Sequence, residues 1–281
     1  MRIYGLLGRG ISYSLSPVMH NAAFRALGMD AEYRVFDKSE SELESFFKDL
    51  KKGRVAGCNI TIPYKEVALR FIDESSATVR AIGALNTVVG TDGVLKGHNT
   101  DYQGFMKALM GQGNGDLGFR PEGKNAFIFG AGGAAKAVIH CLLTQDIKRI
   151  VVADIDRVKS ERLAQKIDIG KYRNATLAVA NDKSQYNDFI SNSDLLINAT
   201  PCGLKKTDPA LFDYNYMDRQ HNVFDLIYAK STPLVKEARA RGARAVNGLN
   251  MLLYQAARAF EYWTGKDAPF EAMRNALIEK I

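Results

Sequence analysis

The chain has 281 residues, 46% of them hydrophobic and 25% charged, a balance that is ordinary for a folded globular protein and unlike disordered or fibrous sequences. That length exceeds what one core usually supports and predicts two domains of about 100 to 150 residues each. Lys and Arg number 38 against 31 Asp and Glu, a formal charge of +7, but no run of five like charges occurs; the surplus reads as solvated surface with a bias toward small anions, not as a nucleic-acid footprint.

No apolar stretch approaches the roughly 18 residues of a membrane span, and the apolar run after Met1 is too short for a signal peptide, which predicts a cytoplasmic protein with no membrane partner. Cys58, Cys141 and Cys202 are isolated and odd in number, which points to a reducing compartment and to buried thiols acting as small hydrophobes. His20, His98, His140 and His221 have no ligand spacing with one another or with the cysteines, so no metal is expected.

From the start, β-rich runs alternate with helical periodicity: strand 3–7, helix 17–27, strand 33–36, helix 39–50 and strand 55–61, a βαβαβ series. Ser16-Pro17 places a hydroxyl before a proline suited to the first helical position, so Ser16 is read either as a helix cap or as a pocket hydroxyl. Ser39-Glu40-Ser41-Glu42 is a capping box, and Leu43, Phe46, Phe47 and Leu50 then form one apolar stripe that belongs to the core. Asp92-Gly93 between 87–89 and 94–96 predicts a hairpin. A helix reaching Met110 and the glycine-rich stretch 111–123 are the expected crossing between domains.

A second αβ series follows over 126–129, 134–144, 150–153, 158–166, 195–198, 223–227, 233–241 and 244–246, and two helices, 250–263 and 270–281, close the chain. Strands that are apolar without alternation imply a parallel sheet covered on both faces. The strand ending at Phe129 runs into Gly130-Ala131-Gly132-Gly133-Ala134-Ala135 and then a helix, the context a dinucleotide-binding turn needs. Gly130 would allow the tight turn, Gly132 the approach of a pyrophosphate, and Ala135 the close packing of helix on strand. Asp154 ends the next strand, 24 positions on, where a carboxylate can accept hydrogen bonds from a ribose 2′-hydroxyl and would repel a 2′-phosphate. That favours NAD over NADP, against which Arg157 and Lys159 stand close enough in sequence to serve a phosphate.

Two short polar runs carry the chemistry. Asn59-Ile60-Thr61-Ile62-Pro63-Tyr64-Lys65 leaves a strand end at Lys65, and Asn99-Thr100-Asp101 follows the hairpin. Hydride transfer to a ketone leaves negative charge on oxygen, and an ammonium oriented by a carboxylate supplies the proton donor that such a site needs. Ser14, Ser16, Thr61 and Asn86 stand at comparable strand ends and suit a hydroxylated, carboxylated small molecule.

These runs, with Ser14-Leu15-Ser16-Pro17, Gly83-Ala84-Leu85-Asn86-Thr87, Asn198-Ala199-Thr200-Pro201 and Gly248-Leu249-Asn250-Met251-Leu252-Leu253-Tyr254-Gln255, resemble the motifs of shikimate dehydrogenases in order along the whole chain. The resemblance implies an α/β protein of two domains: a substrate-binding domain with a mostly parallel sheet over 1–101, completed by 250–281, and a Rossmann-type nucleotide domain over 102–249. It also implies a cytoplasmic monomer or homodimer that reversibly reduces 3-dehydroshikimate to shikimate with NAD(P)H in aromatic amino acid biosynthesis. By the same resemblance Lys65 and Asp101 are the catalytic pair; Ser14, Ser16, Thr61, Asn86, Tyr228 and Gln255 hold the substrate; and Gly130, Ala131, Gly132, Gly133, Ala134, Asp154, Thr200, Gly248 and Met251 hold the cofactor. The departure is Asp154-Ile155-Asp156, which stands where NADP-using members carry Asn-Arg-Thr and resembles the NAD-using quinate/shikimate members. Ser16 matches the shikimate type of pocket. A quinate/shikimate dehydrogenase is therefore the alternative, and a non-catalytic metabolite sensor on the same scaffold is the reading from a different class.

Overall fold

The computed structural model describes residues 1–180, 182–228 and 231–281. The chain divides into two compact units, Met1–Gly104 with Leu253–Ile281, and Phe105–Leu252.

The first unit holds a six-stranded mixed sheet. Its strands are β1 (Arg2–Gly8), β2 (Ala31–Asp37), β3 (Gly57–Ile60), β4 (Glu74–Ser75), β5 (Thr87–Thr91) and β6 (Val94–His98), in the order β2-β1-β3-β5-β6-β4. β1 runs parallel to β2 and β3, and the hairpin strand β5 runs antiparallel to β3 and β6. Asp92 and Gly93 take φ of 49° and 78°, the left-handed pair that a two-residue turn between twisted strands requires. The helices are α1 (Ser16–Ala26), α2 (Leu43–Lys51) and α3 (Ala77–Ile82). The short elements β4 and α3 have no periodicity long enough to read from sequence.

Ser39 and Glu42 form the expected capping box, the Ser39 N–H donating to Glu42 Oε2 at 2.9 Å. The stripe Leu43, Phe46, Phe47 and Leu50 is buried with Leu7, Val55, Ile60, Val88 and Leu95. Ser16 differs from its reading as a cap: Leu15 caps α1 and Ser16 is its first residue. The hydroxyl that accepts a backbone N–H there is that of Ser14, from Ser16 N at 3.2 Å, and Pro17 stands second in the helix.

Helix α4 (Thr100–Met110) opens the second unit part-way along its length. The stretch 111–123 has no helix or strand, yet it is pinned, with Leu117 and Phe119 buried and their N–H groups donating to Ala108 O and Leu109 O. The second sheet comprises β7 (Asn125–Phe129), β8 (Arg149–Ala153), β9 (Thr176–Val179), β10 (Leu195–Asn198), β11 (Asn222–Asp225) and β12 (Arg244–Asn247), in the order β12-β11-β10-β7-β8-β9. All of its pairings are parallel, and the order reverses at β7, where a doubly wound sheet leaves a crevice at its carboxyl ends. Helices α5 (Gly133–Thr144), α6 (Arg157–Lys166), α7 (Tyr186–Ser191) and α8 (Pro233–Ala240) complete this unit. The edge strand β9 escapes the sequence reading because it is four residues long and only partly buried.

Helix α9 (Leu249–Thr264) returns the chain to the first unit and α10 (Phe270–Ile278) packs on α1 there. Trp263 of α9 donates through Nε1 to Val88 O at 3.0 Å, tying the carboxy-terminal helices to the hairpin. No helix among the described residues is long and apolar enough to cross a membrane.

Candidate functional site

In the first unit, the segment after β3, the residue before β5 and two helices converge. Lys65 follows β3, Asn86 precedes β5, Asp101 sits in the first turn of α4, and Gln255 comes from α9. Lys65 Nζ donates to Asp101 Oδ2 at 2.6 Å, with the two side chains 18% and 10% exposed. Asn86 Nδ2 donates to Asp101 Oδ1 at 2.9 Å, so each carboxylate oxygen has a donor. Asn86 Oδ1 accepts from the backbone N–H of Thr100 at 2.7 Å, which fixes the amide and, through it, the carboxylate next in sequence. Gln255 Oε1 lies 3.4 Å from Asn86 Nδ2 and from the Thr100 hydroxyl. An ammonium carries three N–H donors, and one of them is spent on Asp101.

Ser14 and Ser16 place their hydroxyls 3.2 Å apart, the first partly and the second fully buried. Thr61 is partly exposed just past β3, its N–H donating to Leu7 O at 2.9 Å. Ile62-Pro63 is a cis peptide, a feature that the sequence reading did not include. The sequence reading also missed Tyr33, Thr87 and Thr100, all buried and hydrogen-bonded to this cluster; Thr87 and Thr100 lie inside the polar motifs, but Tyr33 is on β2, outside all of them.

In the second unit the glycine turn lies between β7 and α5. Gly130 has φ of 105°, and a Cβ there would stand 2.8 Å from Ala199 O, so the backbone itself demands glycine. Gly132 differs, since its φ is −82° and no protein atom lies within 4 Å of where a Cβ would point. That open space at the helix start is the cradle in which a phosphate can meet backbone N–H groups, and the residues present fit a dinucleotide. Gly133 and Ala134 are partly buried in the first turn of α5, and Ala135 is fully buried against the sheet.

Asp154 follows β8, and its Oδ2 accepts from the Ala131 N–H at 2.8 Å while Oδ1 accepts from the Asp156 N–H at 2.9 Å. The nearby cations are already paired, Arg157 with Glu161 at 2.6 Å and Lys159 with Asp156 at 3.7 Å. The Thr200 hydroxyl donates to Asn198 Oδ1 at 2.7 Å and accepts from Cys202 N at 3.1 Å, both within its own turn. Gly248 is buried, and a Cβ on it would stand 2.2 Å from Leu226 O; Met251 is buried in the first turn of α9. Tyr228 is partly buried, and its carbonyl lies 3.4 Å from Asn247 Nδ2.

Asp225, at the end of β11, is fully buried and accepts from Asn198 Nδ2, Ile227 N and the Thr232 hydroxyl. Burial outweighs those donors and pushes its carboxyl up to about 6.

Comparison with known proteins decides the family. Residues 6–88 match the shikimate dehydrogenase substrate binding domain and residues 248–278 the shikimate 5′-dehydrogenase C-terminal domain. A shikimate dehydrogenase (NADP+) of Methanopyrus kandleri is 38% identical over 99% of this chain and 96% of its own length. The chain belongs to the shikimate dehydrogenase family. Residues 126–207 also match the saccharopine dehydrogenase NADP binding domain, a segment that contains the glycine turn. Among solved structures, shikimate 5-dehydrogenase from Listeria monocytogenes in complex with shikimate and NAD superposes with a TM-score of 0.86 at 33% identity, covering 99% of this chain and 96% of that one. Quinate dehydrogenase from Corynebacterium glutamicum in complex with NAD gives 0.88 at 31% identity, covering 99% of both chains. Family membership makes this chain a two-domain α/β oxidoreductase with a Rossmann-like nucleotide domain.

Proposed function

We propose that this member of the shikimate dehydrogenase family reversibly reduces 3-dehydroshikimate to shikimate, with Lys65 as the proton donor and Asp101 as the group that orients it. The observation that carries the assignment is the desolvated Lys65–Asp101 contact at 2.6 Å, buttressed by Asn86. A nicotinamide held by the turn 130–134 would supply the hydride that carbonyl reduction needs. As the carbon–oxygen π bond opens toward oxygen, the Lys65 ammonium gives that oxygen a proton, and a solvent proton restores the ammonium. Ser14 and Ser16 offer hydroxyls to the substrate carboxylate, while Thr61, Asn86 and Gln255 face its ring hydroxyls, and Tyr228 is the substrate-side tyrosine of the nucleotide unit.

The phosphates would rest on the turn 130–134, with Thr200, Gly248 and Met251 flanking the nicotinamide. For the cofactor, Asp154 supports NAD over NADP. Its carboxylate stands at the turn itself, and Ile155 is fully exposed where a clamping side chain would be useful. The NADP+ in the names of curated relatives weighs the other way. Free Cys58, Cys141 and Cys202 support a reducing, cytoplasmic setting.

Steady-state oxidation of shikimate and of quinate, each with NAD and with NADP, tests the whole reading. Shikimate with NAD is expected to give the highest kcat/KM. A higher value for quinate would reassign the substrate, a higher value with NADP would reassign the cofactor, and no turnover in any arm would leave a sensor.

A further inference from the structure

We propose that Tyr33 is a positioning residue for the Lys65–Asp101 pair, acting through a buried chain of hydrogen bonds that runs from β2 to the carboxylate. This inference rests on the catalytic reading of that pair. Tyr33 lies on β2, fully buried, and its hydroxyl donates to Asn59 Oδ1 at 2.7 Å. Asn59 Nδ2 donates to Thr87 Oγ1 at 3.0 Å and to Asn86 O at 3.2 Å. Thr87 Oγ1 donates to Asn86 Oδ1 at 3.0 Å, and Asn86 Nδ2 reaches Asp101 Oδ1.

Each link leaves its neighbour one orientation. An amide has one donor end and one acceptor end, so a donor placed on Asn59 Oδ1 turns Nδ2 toward Thr87 and Asn86. The Thr87 hydroxyl joins the Thr100 N–H in donating to Asn86 Oδ1, which leaves Nδ2 of Asn86 for Asp101. Without the phenol hydroxyl, Asn59 Oδ1 is buried with no donor, and turning the amide over would set that oxygen against Asn86 O, so the amide has no satisfied orientation and its hold on Thr87 Oγ1 and Asn86 O loosens. Burial holds the Tyr33 phenol well above its usual range, so it stays protonated and remains a donor throughout the working pH of an enzyme. His20 stacks on the ring at 4.3 Å and Trp263 lies at 6.0 Å, which fixes the plane from which the hydroxyl projects.

Tyr4 provides a matched control. It is equally buried, packs on the same Trp263 at 5.4 Å, and its hydroxyl has no hydrogen-bond partner. In shikimate oxidation, Tyr33→Phe is expected to lower kcat on the order of 5- to 10-fold with KM changed less than about 2-fold, because a misaligned proton donor costs rate more than it costs binding. Tyr4→Phe should keep kcat within about 2-fold of wild type, since it removes the same atom from the same core without touching the row. Thr87→Val interrupts the row at its middle and should lower kcat similarly, Thr87→Ser should recover most of it, and the Tyr33→Phe/Thr87→Val double variant should fall short of the product of the single effects. If wild type turns over and either Tyr33→Phe or Thr87→Val keeps its kcat, the positioning role is refuted; the Thr87 arm decides should Tyr33→Phe not fold. If wild type itself turns over neither substrate, it is the catalytic reading that has failed.

Discussion

The Lys65 ammonium and the Asp101 carboxylate, 36 positions apart in the chain, meet at 2.6 Å with little of either side chain exposed. Exposed pairs of this kind are screened and contribute little, whereas a desolvated pair keeps its field and its geometry. Lys65→Ala should therefore lower kcat for shikimate oxidation by roughly 100-fold or more with a smaller change in KM. Asp101→Asn should lower kcat as well, because the ammonium loses its fixed direction. An unchanged kcat in Lys65→Ala, measured at saturating shikimate and cofactor, would remove it from the mechanism.

Much of this was legible in the sequence where a signal is local. The capping box at Ser39, the stripe of α2, the turn at Asp92-Gly93 and the strand-turn-helix at Gly130 all depend on residues within one or two turns of each other, and each forms as read. Long-range relations were legible only as motifs, since nothing in β2 announces that Tyr33 will reach Asn59 across β1. Of the two readings open for Ser16, the cap does not form, because Leu15 holds that position and the Ser16 N–H turns to the Ser14 hydroxyl. The edge strand β9 and the two-residue β4 fall below the length at which periodicity carries information.

Asp154 is predicted to set the cofactor preference. Asp154→Asn keeps an acceptor for the Ala131 N–H and removes the charge that a 2′-phosphate would meet. The ratio of kcat/KM with NADP to that with NAD should rise about 10-fold or more, since one close like-charge contact is worth over a kcal/mol in a partly buried site. A ratio unchanged within a factor of two, in paired assays at fixed shikimate, would show that the choice is made elsewhere.

Gly57→Ala is expected to loosen the carboxy-terminal helices. A Cβ there would stand 2.3 Å from Trp263 Cδ1, and the indole cannot retreat without giving up its bond to Val88 O. Overpacking of this kind costs about 1–3 kcal/mol, which should appear as a lower denaturation midpoint. A midpoint equal to wild type would mean that Trp263 is free to move.

His20 should weaken the protein in acid. Its ring nitrogens are buried without partners, and burial lowers its pKa to about 3. The unfolded chain takes up a proton near 6.5 and the native state resists it, so the stability present above that pH is lost as pH falls toward 3. Stability of wild type minus that of His20→Phe, followed by denaturant titration, should fall steadily from pH 7 to pH 4. A difference independent of pH would show that the ring gains a partner on protonation.

Asp225 should act in the opposite direction, and in the other unit. Its carboxyl is raised from 3.8 to about 6, so the native state holds the proton that the unfolded chain has already released. Its contribution is fully present below about 3.8 and is lost as pH rises through about 6, a change on the order of 2–3 kcal/mol. Asp225→Asn removes the titration and leaves an acceptor for Ile227 N and Asn198 Nδ2, the two donors that share Oδ1. Wild type minus Asp225→Asn should thus decline between pH 4 and pH 7, the reverse of the His20 difference over the same interval. Because the two groups lie in different units, a probe in each, Trp263 fluorescence in the first and hydrogen exchange of β10 and β11 amides in the second, should report the two slopes separately. A rising or flat difference for Asp225 would mean that the three donors, and not burial, govern its charge.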